Sequence, residues 1–196
     1  MSTLRTVSST FPGPCLPGMA LQRLDRLFFS IFPDPQAAVR IANTAQHFRR
    51  AYGLKGNPLL TDRFHVSIQG KGDYDGLPRS IVHKAMEAGA AVRATSFDVA
   101  FDRIKNFSSS NALVLCGEDG VDGLMRFHQS LGMEMQKSGL SVRPSFTPHV
   151  TLLYDGGDLD ERSIHPIRWT VREFVLVHSL IGSTKHNVCG RWQLRT

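Results

Sequence analysis

The chain contains only three cysteines among 196 residues, Cys15, Cys116 and Cys189, and no Cys-x-x-C pair. An odd, scattered set of this kind excludes a zinc ribbon or a dithiol redox centre and favours a reducing compartment. Cys116 ends the apolar run Ala112-Leu113-Val114-Leu115 and reads as a buried thiol. No apolar stretch reaches the length of a membrane span. The first 24 residues mix Ser, Thr, Pro and Gly with Arg5 and Arg23, and they lack the continuous apolar segment of a secretory signal. A cytoplasmic protein with no membrane association is therefore expected. Excess charge is also small: 23 Lys and Arg against 17 Asp and Glu, a net +6. Such a surplus suits an anionic ligand without demonstrating one.

What the chain does have is one short pattern used twice. His65-Val66-Ser67 and His149-Val150-Thr151 are both His-x-Ser/Thr, 84 residues apart, and each lies in a short apolar run. Alternate side chains of a strand share a face, so each His points the same way as its hydroxyl partner. Taken singly, such a histidine is more often a hydrogen-bonded core residue. Two of them at matching places in a repeated pattern weigh the other way.

The repeat is visible in the order of elements. Residues 1–25 read as a loosely held extension, and a single domain is expected over 26–196. Leu27-Phe28-Phe29-Ser30-Ile31-Phe32 reads as a buried strand closed by Pro33. Asp34 and Pro35 then form a helix start, and Ala38, Ile41, Ala45, Phe48 and Tyr52 make one apolar stripe that runs to Gly53. A loop with Asn57-Pro58 leads into the first motif strand. Gly70 to Gly76 reads as a turn-rich connection. A helix is expected over 77–91, strands over 95–107 and 112–116, and a helix over 121–137 ended by Gly139. Pro144 to Pro148 delivers the chain to the second motif strand, and closing strands are expected over 169–180 and 188–194. Strand, helix, loop and motif strand occur twice. This predicts an α+β fold of two pseudo-twofold-related lobes, each an antiparallel sheet with outer helices, enclosing a central cleft.

Two imidazoles on opposite sides of one phosphorus can take a proton from an attacking water and give one to the departing oxygen. Each contributes about 10²- to 10⁴-fold by that argument. Ser67 and Thr151 can donate to the non-bridging phosphoryl oxygens. This equipment calls for no cofactor, and neither motif strand offers a second ligand at metal-binding spacing, so no metal is expected.

These segments resemble the LigT-like branch of the two-histidine phosphoesterases, the RNA 2′,3′-cyclic phosphodiesterases also called 2′-5′ RNA ligases. The resemblance rests on the opening strand Leu27 to Pro33, on Arg63-Phe64-His65-Val66-Ser67-Ile68, and on Phe146-Thr147-Pro148-His149-Val150-Thr151-Leu152. The closing segments Ile167-Arg168-Trp169, Glu173 to Ser179 and Arg191-Trp192-Gln193-Leu194 support it, so that it covers Leu27 to Leu194. It implies that His65 protonates the leaving 3′ oxygen of a cyclic phosphate and that His149 activates water. Ser67 and Thr151 would then bind the phosphoryl oxygens, the product would be a 2′-phosphate, and the reverse direction would be a 2′-5′ ligation.

The implied partner is RNA with a 2′,3′-cyclic phosphate end, or a small cyclic nucleotide, met by a monomer. Three positions after the second Thr, where the family commonly carries Arg, this chain has Tyr154. An aromatic expected shortly before the final strand is replaced by His186. Arg63, Arg143 and Tyr154 are candidate substrate contacts, with Tyr154 the leading candidate to stack on a base. His128 falls on the apolar side of its helix and reads as structural. Two other readings stay open: a phosphoesterase for a small cyclic phosphate or a 2′-5′ oligonucleotide, and a non-catalytic module that binds RNA ends.

Overall fold

The computed structural model describes residues 24–181 and 185–196; most of the expected N-terminal extension lies outside them. In chain order the elements are β1 (Asp25–Ile31), α1 (Pro35–Ala51), β2 (Val66–Tyr74), α2 (Arg79–Ala91), β3 (Phe97–Phe107), β4 (Ala112–Cys116), α3 (Asp122–Lys137), β5 (His149–Tyr154), β6 (Arg162–Val171), β7 (Glu173–Leu180) and β8 (Lys185–Gln193). Asp25, placed in the extension by the sequence reading, is the first residue of β1, and its carboxylate bonds His178 Nε2 at 2.6 Å.

The helix starts and stops follow local chemistry. Asp34 caps α1 by accepting from the Ala37 amide at 2.8 Å, with Pro35 in the first turn. Ala38, Ile41, Ala45 and Phe48 are buried as the stripe predicts, whereas Tyr52 is the C-cap residue and turns outward. Gly53 and Gly139 follow α1 and α3 with φ of 63° and 72°, the left-handed conformation that ends a helix.

Two four-stranded antiparallel sheets result, ordered β2-β1-β7-β8 and β5-β4-β3-β6. Each motif strand is an edge strand, and in each sheet its neighbour is the strand that precedes it across a helix. One contiguous cluster of buried side chains draws on both sheets and on α1, α2 and α3. Its aromatic centre includes Phe174 stacked on Trp192 (5.1 Å, 22°) and Phe101 stacked on Trp169 (5.2 Å, 16°).

The two sheets are tied by exchanged loops. The segment before the first motif lies along β5, with the Leu59 amide donating to Leu152 O at 2.8 Å and Pro58 bridging Leu153. The segment before the second motif lies along β2, where Gln69 accepts from the Arg143 amide at 3.0 Å and donates to the Arg143 carbonyl at 3.2 Å. A side-chain amide thus does on β2 what main-chain pairing does on β5.

Two expectations need correcting. Residues 70–76 are not a turn-rich connection: β2 runs on to Tyr74, paired with β1 through Phe28↔Gly70, Leu27↔Gly72 and Arg26↔Asp73. The cross-strand Arg26–Asp73 pair is bidentate (2.6 and 2.8 Å), so glycine and charge here build a ladder rather than a turn. The span 169–180 is likewise not one strand. It divides at Arg172 into β6, which begins at Arg162, and β7; the two lie in different sheets.

Candidate active site

The two motifs are built alike in detail. In β2, Val66 faces Ile31 and Ser67 faces Ser30 across the ladder, after which the register slips so that Gln69 faces Phe29. In β5, Val150 faces Leu115 and Thr151 faces Val114, after which Leu153 faces Leu113. Ile68 and Leu152 are the extra residues, so a bulge follows the hydroxyl in both strands.

The burial pattern shows its effect. Val66, Ile68 and Gln69 on one strand, and Val150, Leu152 and Leu153 on the other, are buried, while the His and hydroxyl residues are not. Because two successive residues turn inward, the third position after each hydroxyl comes back to the open face; these positions are Gly70 and Tyr154. Ser30, fully buried, anchors the first strand by donating to the Val66 carbonyl at 2.9 Å.

Both imidazoles are held the same way. His65 Nδ1 lies 2.7 Å from the carbonyl of Arg63, and His149 Nδ1 lies 2.7 Å from the carbonyl of Thr147. A carbonyl only accepts, so each Nδ1 carries the hydrogen and each Nε2 is left to trade protons. Burial lowers the proton affinity of His65; the Arg63 carbonyl opposes this, and the charges of the Arg63 guanidinium and of His149 add to it.

Each imidazole has an aromatic wall. Phe107 stands edge-on to His149 at 4.8 Å. His65 packs against Phe28 at 5.3 Å and edge-on to His186 at 5.2 Å. His186 is the residue whose importance the sequence did not convey. It is a third imidazole beside the motif, its Nδ1 is buried without a partner, and its pKa is lowered to about 4 by burial, by Arg63 and by His65. Strand β8 reaches His65 only through β7 and β1, a neighbourhood that no local pattern reports.

Arg63 lies beside both His65 and His186 and has a buried Nη1 with no partner, an arrangement suited to an anion. Tyr154 lies at the end of β5, and Arg143, in the segment before β5, lies alongside β2. The Arg143 guanidinium rests against Gly70, 3.8 Å from where a Cβ there would stand. Tyr154 is 57% exposed and within electrostatic reach of Arg26. Phe64 is core, at 1% exposure. His128 is buried, stacked on Phe146 (4.6 Å, 9°) and bonded to Gln69 at 2.6 Å.

Among the described residues, no group of three or more His, Cys, Asp or Glu side chains gathers at metal-binding distances. A surface hollow lined by Asp98, Arg126, Arg168 and Trp169 contains none of the motif residues.

A family model described as the 2′-5′ RNA ligase superfamily matches residues 33–180. The chain is also similar to solved structures. E. coli LigT in apo form shares 25% identity over 88% of this chain and 99% of that one, with a TM-score of 0.69. E. coli LigT complexed with 3′-AMP shares 24% over 88% and 99%, with a TM-score of 0.67. The Thermus thermophilus protein TT0787 shares 17% over 87% and 98%, with a TM-score of 0.70. No curated protein matches the sequence significantly.

Proposed function

The chain belongs to the 2′-5′ RNA ligase superfamily, as a LigT-like two-histidine phosphoesterase, and on that footing we propose that it opens 2′,3′-cyclic phosphate ends of RNA to 2′-phosphates by metal-free acid–base catalysis. The observation that carries this reading is the matched pair of imidazoles, each presenting Nε2 because Nδ1–H is tied to the carbonyl two residues earlier. A binding module has no need of two titrating groups prepared in the same way.

In this mechanism neutral His149 takes a proton from water at Nε2 while the water oxygen bonds to phosphorus. The bond from phosphorus to the 3′ oxygen breaks, and protonated His65 gives its Nε2 proton to that oxygen. Ser67 and Thr151 donate to the non-bridging oxygens, and Arg63 offers its guanidinium to their charge. His149 leaves the step protonated and His65 neutral, and solvent resets both. The 3′-AMP complex of E. coli LigT supports a nucleotide-sized anionic ligand. The reverse reaction, ligation of a 2′-phosphate end to a 5′-hydroxyl, would use the same groups.

The test is incubation of the pure protein, with chelator present, with RNA ending in a 2′,3′-cyclic phosphate; product ends are read by mass. We expect a 2′-phosphate, and loss of turnover in His65→Ala and in His149→Ala while both stay folded. Turnover that requires a metal, or near-full activity in either variant, would defeat the mechanism.

A further inference from the structure

The twofold correspondence of the motif strands continues past the hydroxyls. Gly70 and Tyr154 occupy the same place, three residues beyond Ser67 and Thr151, and both are returned to the open face by the bulge. Three strand residues span about 10 Å, the reach of one nucleotide from the phosphate held at the hydroxyls. The two positions are filled very differently. Tyr154 offers an exposed ring. Gly70 offers no side chain, and the space is taken by the Arg143 guanidinium arriving from the opposite loop.

That guanidinium is placed from its own backbone. Gln69 holds both the N–H and the C=O of Arg143, which fixes the residue over β2 while its side chain stays exposed. Beyond it, Arg26 is already engaged by Asp73 through two hydrogen bonds. Arg143, itself within electrostatic reach of Asp73, is thus a cation held over the floor between the hydroxyls and that pair, with an aromatic ring on the other strand.

We propose that Arg143 and Tyr154 form a subsite for the nucleotide that precedes the cyclic end, with Arg143 on its phosphate and Tyr154 against its base. The natural substrate class is then an oligoribonucleotide end rather than a free cyclic mononucleotide. This rests on the phosphodiesterase reading above and adds a preference that the reading does not require. A base stacked on an exposed ring and a phosphate paired with a guanidinium are each worth about tenfold in binding.

The experiment compares a cyclic mononucleotide with a short single-stranded oligoribonucleotide bearing the same 2′,3′-cyclic end, using the full chain. Wild type should prefer the oligonucleotide. Arg143→Ala and Tyr154→Ala should each cut the ratio of kcat/KM values, oligonucleotide over mononucleotide, about tenfold, chiefly through KM. Equal losses on both substrates, or no change in the ratio, would overturn the subsite. Binding of a fluorescent single-stranded RNA, followed by anisotropy against salt, tests the subsite without turnover. Arg143→Ala should weaken binding and reduce the slope of log K against log salt by about 0.7, the value for one phosphate contact. An unchanged slope and affinity would overturn the proposal. Absence of turnover on both substrates with the salt effect intact would count against the phosphodiesterase reading alone.

Discussion

Gln69→Leu tests whether the buried amide positions the approach to the second motif. Gln69 is 1% exposed and joins three partners: His128 Nε2 at 2.6 Å, the Arg143 carbonyl at 3.2 Å and the Arg143 amide at 3.0 Å. The His128 imidazole also hydrogen-bonds the Arg143 backbone. Leucine keeps the apolar contacts and removes every one of the Gln69 bonds. The buried His128 imidazole then loses its Gln69 partner, which costs about 2 kcal/mol. Arg143 is exposed, so its N–H and C=O recover water in part, adding about 1 kcal/mol. The sum is about 3 kcal/mol.

In urea titration at neutral pH, with m about 3 kcal/mol/M for a chain of this size, the midpoint should fall by about 1 M at constant m. The double variant Gln69→Leu/His128→Leu should be less destabilised than the two single changes added together, because it also removes the imidazole whose partner the first change takes away. A midpoint shift under about 0.3 M, or strict additivity, would show that the network does not act as described. Activity adds a separate readout. Phe146, stacked on His128, stands three residues before His149, so loosening the network should lower kcat even where the protein remains folded.

Gly56→Ala should destabilise the exchanged loop by about 1–3 kcal/mol, since the added methyl would collide with the Tyr154 carbonyl; wild-type urea stability would refute this. His65, His128 and His186 all have folded pKa values below the ordinary 6.5, chiefly from burial. The unfolded chain therefore takes up more protons below pH 6.5, and their contribution is complete above that value and lost as pH falls through the folded values, down to about 4 for His186. Thermal midpoints measured from pH 8 to pH 4 should show this decline, reduced in His186→Phe; an identical decline in that variant would remove His186 as a contributor. For catalysis, His65 must be protonated, so the alkaline limb of kcat/KM should lie below 6.5, the ordinary histidine value. Arg63→Gln removes a charge that lowers the His65 pKa and should move that limb to higher pH; a shift to lower pH would contradict the placement of Arg63.

The motif residues were legible because strand alternation is a local property: His65 with Ser67, and His149 with Thr151, needed only the period of two. The α1 cap at Asp34 and the apolar stripe behind it were legible for the same reason. The continuation of β2 was not. Gln69-Gly70 and the glycines that follow carry turn composition, and it is the pairing with β1, fastened by Arg26 on Asp73, that makes them strand. The bulges were hidden as well, since two successive inward residues look like a break in period until the partner strand is known. His186 could be singled out by type but not by neighbourhood. It meets His65 across strands that the chain lays down at opposite ends of the described residues.

That last arrangement bears on the order in which the protein can be assembled as it leaves the ribosome. The sheet carrying His149 is made wholly of residues between Phe97 and Val171 and can close once that stretch has emerged. The sheet carrying His65 cannot: β1 and β2 come first, yet β1 takes its other neighbour from Glu173–Leu180. During synthesis the first motif therefore waits on a two-stranded ladder with an open edge, and the site is completed only once β7 and β8 have been made. Removing those two strands should abolish function while leaving both histidines in the sequence.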